Sequence, residues 1–150
     1  MLLAKNRKAY HEYEILEKYT AGMVLKGMEV KAVREGKVNF DSTFVQIIDG
    51  KPVVLNLYIG RYSNQSQPFN EKESRKTRGL LLTSSEIEKI TKDLSQKGKT
   101  AVPLALILSH NLIKLEFGIA RGLKKFEKRD AEKKKQMDND LKVELKSIWR

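Results

Sequence analysis

The stretch Ile113-Lys114-Leu115-Glu116-Phe117-Gly118-Ile119-Ala120-Arg121-Gly122 decides how the chain is organised. Up to Ile119 its large apolar residues alternate with lysine, glutamate and glycine, a period of two that is typical of a strand with one buried face. After Gly122 this pattern ends, and little apolar material follows until Met137. We therefore predict a packed domain over residues 1–122 and a basic C-terminal tail over residues 123–150.

The chain is strongly basic along its whole length. Its 150 residues include 30 Lys+Arg against 19 Asp+Glu, which gives a formal net charge of +11. The packed part and the tail both share this excess, so a polyanion is the partner class that the charge favours. A soluble basic protein without a polyanionic partner is the alternative.

Several function classes lack the residues that they need. The chain has no cysteine, which excludes disulfides and thiolate sites, and its two histidines, His11 and His110, stand far apart. No glycine-rich phosphate loop is present. No apolar run is long enough to span a membrane, and the short apolar start is not a signal peptide. We predict a cytoplasmic, non-enzymatic protein without a cofactor, a catalytic residue or a metal site.

The first half of the chain predicts strands and one short helix. An extended segment over residues 13–25 should be interrupted at Gly22, because a glycine inside a strand often marks a bulge. Residues 28–35 lie between two glycines and favour a brief helix, with a strand as the alternative. Asp49-Gly50 indicates a hairpin turn between a strand at Phe44–Ile48 and a returning strand over residues 53–59.

The second half begins with a long polar loop over residues 61–79, which ends in the basic cluster Arg75-Lys76-Thr77-Arg78. Ser85 and Glu88 have capping-box spacing and predict a helix that Gly98 stops. A strand follows over residues 100–108, with an edge position or a bulge at Pro103. A turn at residues 109–111 then leads into the strand quoted above. The fold class is mainly β, an antiparallel, closed or partly closed barrel of five or six strands with flanking helices.

The tail repeats apolar residues at helical spacing among basic flanks. These residues are Met137, Leu141, Leu145 and Ile148, with Trp149 beside them. Three alternatives are open for this amphipathic segment. It could fold on a partner, pack against its own domain, or lie on a membrane surface.

Aromatic rings beside basic residues are candidates for stacking on unpaired RNA bases. Tyr10 and Tyr62 have such neighbours in the sequence. Tyr13 and Tyr58 lie in strand patterns, which favours core positions for both.

Several short motifs follow one another in an order that resembles the bacterial SmpB (SsrA-binding protein) family over about residues 6–131. These motifs are Asn6-Arg7-Lys8-Ala9, His11, Tyr13, Ala21-Gly22, Gly27, Glu29-Val30-Lys31, Arg34, Gly36-Lys37-Val38-Asn39, Asp41-Ser42, Thr77-Arg78, Leu80-Leu81-Leu82, Val102-Pro103-Leu104, Gly118 and Ala120-Arg121-Gly122. The resemblance implies a barrel similar to the oligonucleotide-binding fold, with flanking helices.

The resemblance also implies a function and a set of partners. Proteins of this family bind the tRNA-like domain of transfer-messenger RNA (SsrA RNA) and deliver it, with elongation factor Tu, to stalled ribosomes for trans-translation. Their tail is flexible in the unbound protein and becomes helical in the mRNA path, near the decoding centre of the small subunit. We expect a monomer that does not bind membranes. The alternatives are a general RNA chaperone or ribosome-associated RNA-binding factor, and an RNA-modifying enzyme.

Individual residues take expected roles from the matched motifs. The RNA-binding candidates are Asn6, Arg7, Lys8, Tyr10, His11, Arg78, Leu81, Gly122 and Lys124. The candidates for tail function on the ribosome are Glu127, Lys128, Arg129, Met137, Leu141, Leu145, Ile148 and Trp149. The chain departs from the family pattern at Thr20, where glutamate is common, and at Leu123, Phe126 and Glu127.

Overall fold

The structure is a computed structural model that describes residues 1–65 and 68–122. Its elements in chain order are β1 (Leu2–Lys5), α1 (Arg7–Glu12), β2 (Tyr13–Met23), α2 (Gly27–Arg34), β3 (Val38–Asn39), β4 (Phe44–Ile48), β5 (Lys51–Leu55), β6 (Tyr58–Ile59), a 3-10 turn (Glu71–Glu73), β7 (Arg78–Leu81), α3 (Ser84–Leu94), β8 (Lys99–Ser109) and β9 (Leu112–Gly122).

Six of these strands close into an antiparallel ring. The order is β8-β4-β5-β7-β2-β9, and β9 pairs again with β8. Strand β1 joins β8 from outside this ring, while β3 and β6 form a separate two-stranded sheet. The prediction of a mainly β, antiparallel barrel of about six strands with flanking helices is confirmed.

Strand β8 has a register shift between Pro103 and Ala105, which confirms the predicted bulge at Pro103. One edge of β8 pairs with β9 along its whole length. The opposite edge pairs with β4 at Ala101, before the bulge, and with β1 from Ala105 onward, after the bulge. Proline is tolerated there because its missing N–H falls where the ladder is already interrupted.

Alternation in β9 builds the main core. Its four predicted inward residues, Ile113, Leu115, Phe117 and Ile119, are all buried. Phe117 stacks on Tyr19 of β2 with ring centroids 5.6 Å apart. Helix α2 adds Ala32 and Val33 to this core, and α3 adds Ile90. A smaller cluster outside the ring joins Ala9 of α1 to Val102, Leu104 and Ala120, so β8 is buried on both faces.

The two predicted hairpin turns are confirmed by their backbone conformation. Asp49 and Gly50 have φ values of 51° and 75°, and His110 and Asn111 have values of 51° and 64°. Two consecutive residues with positive φ form the turn whose twist matches paired strands. The predicted helix over residues 28–35 is also present, as α2.

The predicted interruption of the second strand at Gly22 is wrong. Strand β2 pairs with β9 through Gly22, and its irregularity lies instead between Ile15 and Glu17. Gly22 instead faces Leu81 on the neighbouring β7, whose Cδ1 lies 3.4 Å from the position of a Cβ at this residue, an ordinary van der Waals distance. The glycine therefore lies within a continuous, paired strand and not at a bend.

Two predicted boundaries also need correction. The strand predicted over residues 53–59 is two strands, because Asn56 adopts a φ of 63° and sends β6 to pair with β3. Helix α3 begins at Ser84, because Thr83 caps it reciprocally with Glu86, so the predicted Ser85 capping box is wrong. The helix ends at Leu94, before Gly98.

Candidate RNA-binding surface

The basic N-terminal segment that contains Asn6, Arg7 and Lys8 is a strand followed by a helix. Asn6 joins them, and its backbone N–H donates to Leu104 O and its side-chain Nδ2 to Pro103 O, each over 2.8 Å. These bonds satisfy carbonyls that the β8 bulge removes from the ladder. Asn6 therefore fixes the start of α1 to the barrel, and its amide donor is already engaged.

Helix α1 presents the basic residues of this segment to solvent. Its one buried residue, Ala9, packs on the outer wall of the barrel. The helical period then turns Arg7, Lys8 and His11 outward, and all three are exposed. The structure brings these predicted contacts together on one short helix, where guanidinium and ammonium groups can bind phosphate oxygens.

Tyr10 lies on the same helix between two cations from other elements. Its side chain is 40% exposed, and its ring centroid is 5.4 Å from Lys5 Nζ and 5.5 Å from Lys18 Nζ. An accessible ring supplies a stacking surface for a base, and the ammonium groups attract the adjoining phosphate. Lys5 and Lys18 were not among the residues predicted to bind RNA, although Lys18 occupies an outward position in the alternation of β2.

Leu81 lies at the opposite end of β2 from α1. It is 64% exposed on β7 and faces Gly22, while Val24 beside Gly79 is 59% exposed. These two apolar side chains form a patch over two glycines. Strand β2 separates this patch from α1 by roughly 30 Å, at about 3.3 Å per residue. The candidate surface is therefore long, with a basic end and an apolar end.

Arg78 is corrected from an RNA-binding candidate to an internal residue. It is only 3% exposed. Its Nε donates to Glu29 Oε2 over 2.5 Å, and its Nη atoms donate to the carbonyls of Leu57 and Ser74 over 2.5 and 3.1 Å. The guanidinium therefore links α2 to Leu57, which precedes the long loop, and to Ser74 within that loop. It has no surface left for phosphate.

Glu29 completes this internal pair. Burial works against its ionisation, but hydrogen bonds from the Lys26 N–H and from Arg78, together with the charges of Arg78 and Lys76, hold the Glu29 pKa below its ordinary value. Lys76 Nζ lies 3.5 Å from Glu29 Oε1. The carboxylate therefore remains charged and balances the buried guanidinium at neutral pH.

The remaining tyrosines occupy intermediate positions. Tyr13 is half-buried against the smaller cluster, as predicted, and half-buried Tyr58 has the Arg75 guanidinium 5.2 Å from its ring centroid. Tyr62 packs partly on the main core and has Lys31 Nζ 5.3 Å from its ring centroid. Of the two predicted stacking residues, Tyr10 is therefore the more accessible.

The end of β9 lies next to α1. Gly122 is exposed and pairs with Tyr13, the residue that follows α1. The last residue before the predicted tail therefore lies beside the basic end of the candidate surface. The other tail candidates, Lys124, Glu127, Lys128, Arg129, Met137, Leu141, Leu145, Ile148 and Trp149, lie outside the described residues.

The described part of the chain has neither a cluster of metal ligands nor a membrane-spanning helix. Over residues 1–65 and 68–122, no group of three or more histidine, aspartate or glutamate side chains is arranged to hold a metal ion. Within the same ranges, no helix has the length and apolar character needed to cross a membrane.

Comparisons with known proteins agree with one another. A family model described as "SmpB protein" matches residues 3–147. The SsrA-binding protein of a Nitratiruptor species is 42% identical over 146 residues, which cover 97% of this chain and 97% of the relative. The SsrA-binding protein of Lactococcus lactis subsp. cremoris is 41% identical over 148 residues, with 99% and 94% covered.

One solved structure is similar in both fold and sequence. It is described as "tmRNA-SmpB: a journey to the center of the bacterial ribosome". One of its chains aligns with a TM-score of 0.70 and 38% sequence identity, and the alignment covers 87% of this chain and 94% of that one.

Proposed function

The chain belongs to the SmpB family, and on this premise we propose that it binds the tRNA-like domain of transfer-messenger RNA and delivers this RNA to stalled ribosomes. The outcome is trans-translation, in which the ribosome is rescued and the incomplete protein is tagged. The protein acts in the cytoplasm as a monomer, through binding and not catalysis. It reaches the ribosome with elongation factor Tu bound to the same RNA.

One observation in the structure carries this proposal, namely the exposed face of α1. Arg7 and Lys8 extend from it into solvent, and Tyr10 stands between two lysines. Phosphate contacts of this kind fix the position of a nucleic acid without reading its sequence. Recognition of one particular RNA then comes from its shape and from unpaired bases that stack on side chains.

The tail from residue 123 onward supplies the ribosomal part of the proposal. It becomes helical in the empty mRNA path, its lysines facing ribosomal RNA. The apolar face of that helix consists of Met137, Leu141, Leu145, Ile148 and Trp149. Together with the RNA, the barrel and tail then mimic a tRNA and replace its anticodon arm and codon pairing. The exposed position of Gly122 supports a tail that leaves the barrel without crossing its core.

The experiment measures binding of the full chain to the tRNA-like domain, to an ordinary tRNA and to a plain RNA hairpin across a salt series. We expect a preference for the tRNA-like domain that persists at moderate salt. Equal binding to all three RNAs, falling steeply with salt, would indicate a phosphate-binding surface only. The alternative function, a general RNA chaperone or ribosome-associated RNA-binding factor, would then replace the proposal.

A second experiment separates the barrel from the tail. Lys128→Ala combined with Arg129→Ala should leave binding to the tRNA-like domain intact and abolish tagging in a reconstituted translation reaction. Lys133→Ala with Lys134→Ala removes the same charge from the same tail and serves as the matched control. If the first variant loses RNA binding and tagging in equal measure, the division of roles between residues 1–122 and 123–150 is wrong.

A further inference from the structure

A cleft of about 450 Å³ opens between α2 and the chain that leads into β7. The first turns of α2 form one wall, and residues 68–70 form the other. The end of β6 closes the cleft from below. This volume lies within the range of about 300–1,000 Å³ that is typical of small-molecule sites.

The lining of this cleft combines apolar surface with a basic rim. Met28, Ile59 and Phe69 supply the apolar part. The internal pair of Arg78 and Glu29 borders the cleft, and its two charges balance one another. The positive excess therefore comes from the three rim lysines, which are Lys26, Lys31 and Lys76. Glu73 is the one further carboxylate among the lining residues.

The rim of the cleft follows the apolar end of the candidate RNA-binding surface along the chain. Val24, which belongs to the Leu81 patch, stands two residues before Lys26 on the rim. The Val24 N–H donates to Gly79 O on β7, and the next residue of β7 is buried beneath the patch. Two residues of chain span at most about 7 Å, so the cleft is within reach of an RNA that lies on the patch.

From this arrangement we propose that the cleft binds a single unpaired nucleotide of the RNA on this surface. The inference rests on the proposed function. The base lies against Phe69 and Met28, and its phosphate lies among the rim lysines. A flat, apolar base with a charged phosphate complements an apolar interior with a basic rim. A duplex is too wide for the cleft, so the nucleotide must be unstacked from its neighbours.

The first test uses free mononucleotides with the full chain. Backbone amide signals of Gly27, Gly60 and Asn70 should shift on titration with adenosine 5′-monophosphate. Adenosine and inorganic phosphate, each given alone, should shift the same signals less, because each supplies only half of the complementarity. Inorganic phosphate that shifts these signals as strongly as the nucleotide would overturn the proposal, as would a nucleotide that shifts none of them.

The second test closes the cleft without altering its charge. A Cβ built at Gly27 meets no heavy atom within 4 Å, so a larger side chain there has room to enter the cleft. Gly27→Leu should weaken binding to the tRNA-like domain roughly tenfold, the loss expected for one stacked base. Gly27→Ala leaves most of the volume open and should bind as the wild type does. Equal affinities of the wild type and Gly27→Leu, with the amide spectrum confirming the fold, would overturn the proposal.

These outcomes are distinguishable from failure of the proposed function. A wild-type chain that binds all RNAs equally would overturn the specific role in trans-translation. The nucleotide titration would still show whether the cleft takes a base with its phosphate. Lys26→Ala should reduce the nucleotide-induced shifts. Lys92→Ala, which removes an exposed cation from α3, should leave them unchanged.

Discussion

Two basic clusters look alike in the sequence and lie in opposite environments in the fold. Arg7 and Lys8 stand on α1, where Ala9 packs on the barrel and the helical period turns its neighbours outward. In the cluster at residues 75–78, Arg78 begins a strand whose alternate residues point inward. Its guanidinium therefore lies inside the protein. Basic sequence contributes to RNA binding only where the local period exposes it.

RNA affinity and folding stability should therefore depend on different basic residues, and the two quantities can be measured independently. The α1 cluster should affect RNA binding and leave stability nearly unchanged. Arg78 should do the reverse, because its hydrogen bonds hold α2 to Leu57 and Ser74. The following predictions test this separation.

Arg78→Ala should produce the largest effect. It removes the nearest cation from the largely buried Glu29, which keeps Lys76 at 3.5 Å, and it removes the donors to two carbonyls. This should cost about 3–5 kcal/mol in the free energy of unfolding. Urea denaturation measures this loss. Arg75→Ala is the matched control, because Arg75 is exposed. It loses a ring contact with Tyr58 and two long hydrogen bonds to backbone carbonyls, and should cost no more than about 1 kcal/mol. Equal losses from the two substitutions would contradict the assigned internal role.

Tyr10→Ala should weaken binding to the tRNA-like domain by about 1–3 kcal/mol, the contribution of one ring on which a base stacks. Tyr10→Phe keeps the ring and should bind nearly as the wild type does. Isothermal titration calorimetry compares the three proteins. If the phenylalanine variant loses as much as the alanine variant, the hydroxyl and not the ring is what contacts the RNA.

Arg7→Ala combined with Lys8→Ala should lower RNA affinity about tenfold and reduce the slope of log affinity against log salt by about 2. Thermal unfolding should be little changed, because both side chains are exposed and the Lys8–Glu12 pair, at 3.9 Å, is a surface ion pair. Lys92→Ala with Lys97→Ala removes two exposed cations elsewhere and should retain most of the slope.

The smallest expected effect is on how folding stability changes with acid pH. Part of this pH dependence should come from Glu29. Because the folded state lowers the pKa of this carboxyl, its contribution is complete above the ordinary glutamate pKa of about 4.3. That contribution is lost as pH falls through the lower folded pKa. Glu29→Gln should therefore be less stable near neutral pH and show a weaker acid dependence than the wild type. Parallel stability curves for the two proteins would exclude Glu29 as a source of the dependence.

Local patterns predicted most of the barrel strands. Some features depend only on residues that are close together in the sequence, so the sequence indicates them directly. These are the alternation in β9, the two hairpin turns and the bulge at Pro103. Gly22 shows where local patterns fail. It remains inside a paired strand because Leu81 and Lys114, which lie 59 and 92 positions away in the sequence, pair with it after folding.

The candidate site was predictable to a smaller extent. The α1 residues follow from the matched family motif, whereas the helix that exposes them was not predicted. Burial of Arg78 was not predictable from its basic neighbours, because it depends on a carboxylate contributed by α2. The cations around Tyr10 come from β1 and β2, and only the closed barrel brings them to one ring.

The last strand of the barrel has a consequence for synthesis of the protein itself. Strand β9 pairs with β2 from Tyr13 to Gly22 and with β8 along its length, whereas β7 pairs with β2 only at Gly22 and Met23. A nascent chain that stops before Leu112 therefore leaves β2 and β8 without their shared partner and the core without Phe117. Such a fragment exposes two long strand edges, which favour aggregation. A nascent chain can therefore close this barrel only after it has been translated through β9, which ends at Gly122.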